Sequence, residues 1–229
     1  MKRHPLPGED PAHARGLQSR LKTELLGRPV HMLAETTSTN DILKELALAG
    51  AAEGTTVAAD AQTKGRGRMG RTWESPPRSG VYVSVLLRPA LRAADSGWLA
   101  ILAGVATADA LSGLGLQGIA LKWPNDVLVR GRKIAGILVE PRVADERIEF
   151  AVVGIGVNVR QKAGDWTGGL QETATSCLME GADVSCDEVM LLLLEHLDRW
   201  YLRLELKGGQ GLMQAWVEKG GASQVPAIE

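Results

Sequence analysis

Three stretches of this chain carry side chains suited to handling anions. The first is Lys64-Gly65-Arg66-Gly67-Arg68-Met69-Gly70-Arg71, which places four cations among three glycines and runs on to Trp73 and Ser75-Pro76. Glycines let the backbone turn through positive φ and come close to a ligand, so N–H groups and guanidinium forks can converge on one anion. With too few apolar residues to bury itself, the stretch is expected to be a mobile loop that closes on something negative. A solvated basic surface loop is the competing reading, and the neighbouring segments decide between them. The second stretch is Lys133 just ahead of Ala135-Gly136, and the third is the Asn125-Asp126 turn. A fourth group, Ser38 and Thr39, stands where a helix begins, so hydroxyls and free N–H groups face outward together; simple capping is the alternative there. Such a set suits the joining of two anions. When a carboxylate attacks the α-phosphate of a nucleotide, charge must be neutralised where it develops on the phosphoryl oxygens, and lysines and arginines do this without a protein nucleophile. A mixed anhydride is easily hydrolysed, so the closing loop would also exclude water.

Other chemistries find little support. No Ser-His-Asp ordering, zinc spacing or Walker-type phosphate loop is present. Cys177 and Cys186 lie nine apart with no histidine cluster and read as reduced, non-catalytic thiols. His196 sits among Leu192, Leu193, Leu197 and Trp200 and reads as packing or surface. Gly154-Ile155-Gly156 lacks the third glycine and following helix of a dinucleotide loop, so its glycines are expected to allow close backbone approach within a sheet.

The elements that must position these groups alternate irregularly. Strands are expected at Arg28–Leu33, Thr55–Ala59, Val81–Leu87, Ile119–Trp123 and from Ile148 onward, with a hairpin of Val127–Val129 and Lys133–Glu140 across Arg130-Gly131-Arg132. Val81–Leu87 is apolar at nearly every position, as a strand buried on both faces should be. Helices are expected over Ala12–Leu26, from about Ser38 to Gly50, over Trp98–Leu114, over Asp187–Lys207 after a Ser185/Glu188 capping box, and over Leu212–Val217. That order predicts an α+β fold with a mixed, mostly antiparallel sheet flanked by helices. The 229 residues suit one substantial domain with small appendages, divided as an arm over 1–27, a body over 28–207 and a tail over 208–229. With 26 basic against 27 acidic residues the net charge is −1, so any anion binding must be local. Residues 1–10 lack a secretory h-region, and the apolar run from Trp98 is broken at Asp109, short of the ~20 residues that span a bilayer. A cytoplasmic protein without a membrane partner is expected.

Five segments, in order, resemble the successive motifs of the biotin protein ligases. They are Thr37-Ser38-Thr39-Asn40; Gln62 with Gly65–Arg71 and Trp73; Lys122-Trp123-Pro124-Asn125-Asp126; Lys133–Glu140; and Gly154-Ile155-Gly156-Val157-Asn158. The resemblance covers roughly residues 28 to 205. It implies a fold related to class II aminoacyl-tRNA synthetases and a two-step reaction. Biotin and ATP with Mg2+ give biotinyl-5′-AMP and pyrophosphate, and a lysine of a biotin carrier protein then takes the biotin as an amide. The implied biotin contacts are Ser38, Thr39, Asn40, Gln62, Arg66, Gly67, Arg68, Trp73, Lys133 and Gly136. Arg66, Arg68, Arg71, Asn125 and Asn158 would serve the nucleotide. Lys133, Arg68 and Asp126 would be catalytic, with Asp126 a partner for either Mg2+ or a lysine; metal ligands are otherwise unassigned.

The resemblance has limits at both ends. The residues ahead of Arg28 are too few for the winged helix-turn-helix of bifunctional relatives, so no DNA binding is expected, and a C-terminal β-barrel is apparently absent. Two rival readings are a lipoate ligase or octanoyl transferase of the same fold and a nucleic-acid-binding module that uses the Arg/Gly loop. The strand Val81–Leu87 could also support a homodimer through sheet pairing.

Overall fold

The computed structural model describes residues 6–221; the first five and last eight residues of the predicted arm and tail lie outside the described residues. Seven strands form one sheet: β1 Val30–Leu33, β2 Thr56–Ala59, β3 Gly80–Leu87, β4 Ile119–Lys122, β5 Asp126–Val129, β6 Arg132–Ala144 and β7 Arg147–Asn158. Their order across the sheet is β1-β2-β3-β7-β6-β5-β4, and only β1 and β2 run parallel. The mixed, mostly antiparallel sheet expected from the sequence is therefore present.

One face is closed by helices α3 (Gly97–Gly113), α5 (Cys186–Lys207) and α6 (Gln210–Trp216), with the short helix α4 (Leu170–Thr173) lying between α3 and α5 in the chain. Val81, Val83 and Val85 of β3 and Val153, Ile155 and Val157 of β7 share the main core cluster with Leu102, Val105, Leu193 and Leu197 of those helices. The helix α3 is apolar on most of its surface because sheet, α5 and α6 enclose it, with Asp109 as its charged exception, and α5 starts at the predicted Ser185/Glu188 capping box.

The other face is divided. Over one part lies α2 (Thr39–Leu48), whose Leu43 and Ala47 pack on Leu33, Val57, Leu86, Phe150 and Val152. Over the rest the sheet is nearly bare, for a reason visible in the registers. Tyr82 of β3 stands opposite Gly156 of β7, which stands opposite Gly136 of β6, itself opposite Asp126 of β5. In the next row Ser84 pairs with Gly154 and Gly154 with Leu138. The alternation Val153-Gly154-Ile155-Gly156-Val157 thus gives β7 one fully packed face and one face stripped to backbone. The expected use of these glycines, close approach within a sheet, is what the structure shows.

Three expectations need correction. Helix α1 covers Pro11–Arg20, capped by Asp10, and does not continue to Leu26. The reason is tertiary: the buried Asp198 carboxylate on α5 accepts the backbone N–H groups of Glu24, Leu25 and Leu26 at 2.9, 3.0 and 2.8 Å, which fixes that segment outside a helix. Val81–Leu87 is buried on both faces as expected, but β3 lies between β2 and β7, both of which pair with it. It therefore has no free edge for sheet pairing with a second copy. The basic stretch Lys64–Arg71, expected as a mobile loop, also carries structure of its own, because Gly67 donates to the Arg71 carbonyl at 2.7 Å and Trp73 to the Gly65 carbonyl at 2.9 Å, making a small hairpin.

Candidate active site

The bare face of the sheet forms the floor of a cavity of about 670 Å3, within the usual range for a small-molecule site. Every residue nominated from the sequence lines it: Ser38, Thr39, Asn40, Gln62, Arg66, Gly67, Arg68, Arg71, Trp73, Asn125, Asp126, Lys133, Gly136 and Asn158.

The entrance of α2 forms one wall. Ser38 occupies the N-cap position in extended conformation, yet its hydroxyl makes no capping bond although the residue is buried. Simple capping therefore does not account for it. Thr39 donates its backbone N–H to Gln62 Oε1 at 2.9 Å, while Gln62 Nε2 donates to Ser75 Oγ at 2.9 Å. Both ends of the Gln62 carboxamide are thereby oriented. Ser84 Oγ lies 2.7 Å from Thr39 Oγ1 and donates to Asn40 Oδ1 at 2.5 Å. Asn40 fits only because position 154 has no side chain; a Cβ there would fall 2.1 Å from Asn40 Oδ1.

Trp73 forms the second wall. Its ring lies over the two glycines of the floor, where a Cβ at Gly156 would come within 2.5 Å of Nε1 and one at Gly136 within 2.8 Å of Cζ3. Gly65 is equally constrained, since its Cβ would meet the Trp73 carbonyl oxygen at 2.3 Å. Tyr82 anchors the far end of the loop by donating its hydroxyl to the Pro76 carbonyl at 3.0 Å, and burial pushes its phenol up to about 12, so it stays neutral.

Lys133 stands at the head of β6. Its Nζ lies 2.5 Å from Asp126 Oδ1 and 5.4 Å from the Trp73 ring centroid. Asp126 thus has Lys133 as a neighbouring partner. Asn125 donates Nδ2 to the Ile137 carbonyl at 3.3 Å, and Asn158 donates to the Thr175 carbonyl at 3.0 Å. Asn158 is buried and ties strand β7 to the segment after it, so its amide nitrogen serves the fold while the residue lines the cavity.

The charges are unevenly committed. Arg66 Nη2 is held by Asp41 and Glu140, whereas among the described residues Arg68, Arg71 and Lys122 have no salt-bridge partner. Those three cations line the cavity and give it a local excess of positive charge, although the chain as a whole is nearly balanced. Two indole N–H groups, of Trp73 and Trp166, are buried in its walls without an acceptor among the described residues. No cluster of three or more His, Cys, Asp or Glu side chains suited to a metal ion occurs among the described residues. The cysteines stay out of the chemistry: burial pushes the Cys177 thiol up to about 12, and burial with Asp187 nearby pushes Cys186 up to about 11.

Sequence reasoning left several lining residues unassigned. Lys122 and Trp123 precede the Asn125-Asp126 turn, so their position could have flagged them. Trp166 and Thr173 come from an irregular segment with no periodic signal. Glu180 does not line the cavity but supports it. Glu180 is buried by its surroundings and accepts from Arg132 Nη2 at 2.7 Å and Thr175 Oγ1 at 2.6 Å. Thr175 in turn donates its N–H to the Lys133 carbonyl at 2.9 Å. Glu180 thus clamps the start of β6, where Lys133 stands, against the segment that carries the cavity's outer wall.

Comparison with known proteins gives this geometry relatives. Residues 32–158 match the Biotin/lipoate A/B protein ligase family. The bifunctional ligase/repressor BirA of Bacillus subtilis (strain 168) is 41% identical over 157 residues, covering 68% of this chain and 48% of that protein. The biotin–[acetyl-CoA-carboxylase] ligase of Paracoccus denitrificans is 36% identical over 205 residues, covering 86% of this chain and 83% of the relative. The chain spans about half the length of the BirA proteins it matches. Among solved structures, the biotin protein ligase of Aquifex aeolicus in complex with biotin and ATP superposes with a TM-score of 0.72 at 31% identity, covering 84% of this chain and 78% of the other.

Proposed function

We propose, from the premise that this chain belongs to the Biotin/lipoate A/B protein ligase family, that it activates biotin with ATP to biotinyl-5′-AMP and transfers the biotin to a lysine of a biotin carrier protein. The single observation that carries this reading is the convergence on one cavity of a hydroxyl-lined helix entrance, an indole wall and a group of cations that have no salt-bridge partner among the described residues. A ring system with polar edges and an acidic tail, meeting a polyphosphate, has matching needs. The Aquifex aeolicus relative, solved with biotin and ATP, supports the choice of ligands.

In this reading Ser38, Thr39 and Gln62 meet the polar ring edges of biotin. The oriented Gln62 carboxamide and the uncommitted Ser38 hydroxyl suit donor and acceptor groups that are fixed on a rigid ring. Trp73 and the bare strip of Gly136 and Gly156 hold the aliphatic tail, and the tail's carboxylate reaches Lys133. One carboxylate oxygen attacks the α-phosphorus, the bond from that phosphorus to the bridging oxygen breaks, and pyrophosphate leaves. Lys133 offers its ammonium to both anions as they meet, and Asp126 holds that ammonium in place. Arg68, Arg71 and Lys122 neutralise the phosphates, while Asn125 and Asn158 border the nucleotide. Mg2+ enters as the counter-ion of ATP and neutralises phosphate charge when bound. In the second step the carrier lysine amine attacks the acyl carbon, the bond from that carbon to the phosphate oxygen breaks, AMP departs, and the amine loses a proton.

The catalytic unit proposed is residues 28–207, with α1 and α6 packed on it through Leu17, Leu212 and Trp216. Among the described residues no helix is long and apolar enough to cross a membrane. A cytoplasmic setting, where ATP and carrier proteins meet, fits the reading.

The test is biotin-dependent exchange of pyrophosphate into ATP, with lipoate and octanoate as controls, followed by labelling of a carrier domain. Exchange with biotin and not with the controls is expected. Exchange driven by lipoate or octanoate instead, or none at all, would refute the proposal.

A further inference from the structure

The basic loop presents three arginines, but they do not share one role. Arg66 Nη2 donates to Glu140 Oε2 at 2.6 Å and forms an ion pair with Asp41, whose Oδ1 lies 2.8 Å away. A guanidinium flanked by two carboxylates belongs to a group of net charge −1, and such a group does not draw a phosphate. Arg68 and Arg71 have no such partners among the described residues. The Glu140 half of the contact is itself tied to the sheet and to α2. The oxygen of Glu140 that meets Arg66 also accepts from Asn40 Nδ2 at 2.7 Å, and Asn40 is held by Ser84 on the sheet and by the space above Gly154. A continuous path therefore runs from β3 through α2 and β6 to the loop.

We infer that Glu140 is a positioning residue: with Asp41 it withdraws Arg66 from phosphate binding and makes it the latch that holds the Lys64–Arg71 loop over the cavity, leaving Arg68 and Arg71 to face the phosphates. This rests on the adenylating function proposed above and divides the labour within its lid. The latch is anchored on Asn40, next to the residues assigned to the biotin ring, so filling that end of the site tightens the same network that closes the loop.

Two measurements on the full chain test it. In limited trypsin digestion, cleavage after Arg68 is followed by mass spectrometry for wild type, Arg66→Ala, Glu140→Gln and the double variant. The glutamine keeps an acceptor for Asn40, which protects the fold. Each single variant is expected to be cut at least about fivefold faster than wild type, with no further gain in the double variant, as for two residues acting through one contact. Unchanged cleavage, or effects that multiply, would overturn the latch. In ATP–pyrophosphate exchange, Arg71→Ala is expected to raise the KM for ATP by about tenfold or more. Arg66→Ala and Glu140→Gln should instead share a different phenotype, more AMP released without a carrier and a KM for ATP near that of wild type. A KM for ATP raised by Arg66→Ala as much as by Arg71→Ala, with Glu140→Gln unaffected, would return Arg66 to the phosphates. Should the wild-type chain show no exchange, the proposed function fails, and the digestion still decides whether the latch exists.

Discussion

The indole of Trp73 occupies the place where a side chain at Gly156 would stand, with Nε1 and Cε2 each 2.5 Å from that Cβ position. A residue of the basic loop and a residue of a central strand, far apart in sequence, are thus fitted to each other by the absence of one carbon. Gly156→Ala should push the ring from the floor and cost about 1–3 kcal/mol in biotin binding, the scale of overpacking a closely fitted site. Isothermal titration with biotin measures this. Wild-type affinity in the variant would show that the indole is not held there when ligand binds.

Lys133 and Asp126 form the second relationship with a measurable consequence. Lys133→Ala removes the cation that both anions are proposed to share, and adenylation should lose at least ~2 kcal/mol of transition-state stabilisation, roughly 30-fold in rate. Asp126→Asn keeps Lys133 but frees its side chain, so a smaller loss is expected, mainly in kcat. Exchange kinetics on both variants provide the check; a wild-type rate in Lys133→Ala would remove that residue from its role.

Glu180 should matter for stability and for the placement of Lys133 together. Glu180→Ala leaves the Thr175 hydroxyl and Arg132 without their buried acceptor, and a loss of about 2 kcal/mol is expected. For a chain of this size that lowers the melting temperature by roughly 4–8 °C. Thermal unfolding measures the first effect. Exchange assayed well below the melting temperature should still show reduced kcat, which a purely global loss of stability would not produce.

His196 predicts a pH dependence of stability. Burial first, and the neighbouring Arg199 second, lower its pKa below the ordinary value of 6.5, outweighing the attraction of Asp109 and Glu195; Lys219 adds to the lowering. The unfolded chain therefore binds more protons than the folded one just below that value, so stability falls as pH drops through about 6.5 and is fully present above it. His196→Gln should flatten this part of the profile. Urea midpoints for both proteins between about pH 8 and 5 decide it, since parallel curves would mean that His196 titrates as in the unfolded chain.

Much of the site was legible because its signals are local. Helix α2 announces itself by a run of cap residues before a 3.6-residue period, and β7 by a strict alternation in which glycine takes every position on one face from 154 to 156. The cations and glycines of the loop declare an affinity by composition alone. The boundary of α1 was not legible, because Asp198, 172 residues from Leu26, decides where that helix ends.

By itself the sequence determined which residues are chemically able to act and which local element carries each. The tertiary structure decided how they are committed. Nothing near Arg66 shows that its charge is spent on Glu140, 74 residues away, while Arg68 and Arg71 in the same run remain open. Likewise a continuous apolar run shows that β3 is buried but not that both its edges are paired. The reason is physical: spacing along the chain fixes secondary structure through short-range sterics and hydrogen bonds. Charge pairing and strand neighbours depend on contacts that exist only once distant segments share the sheet.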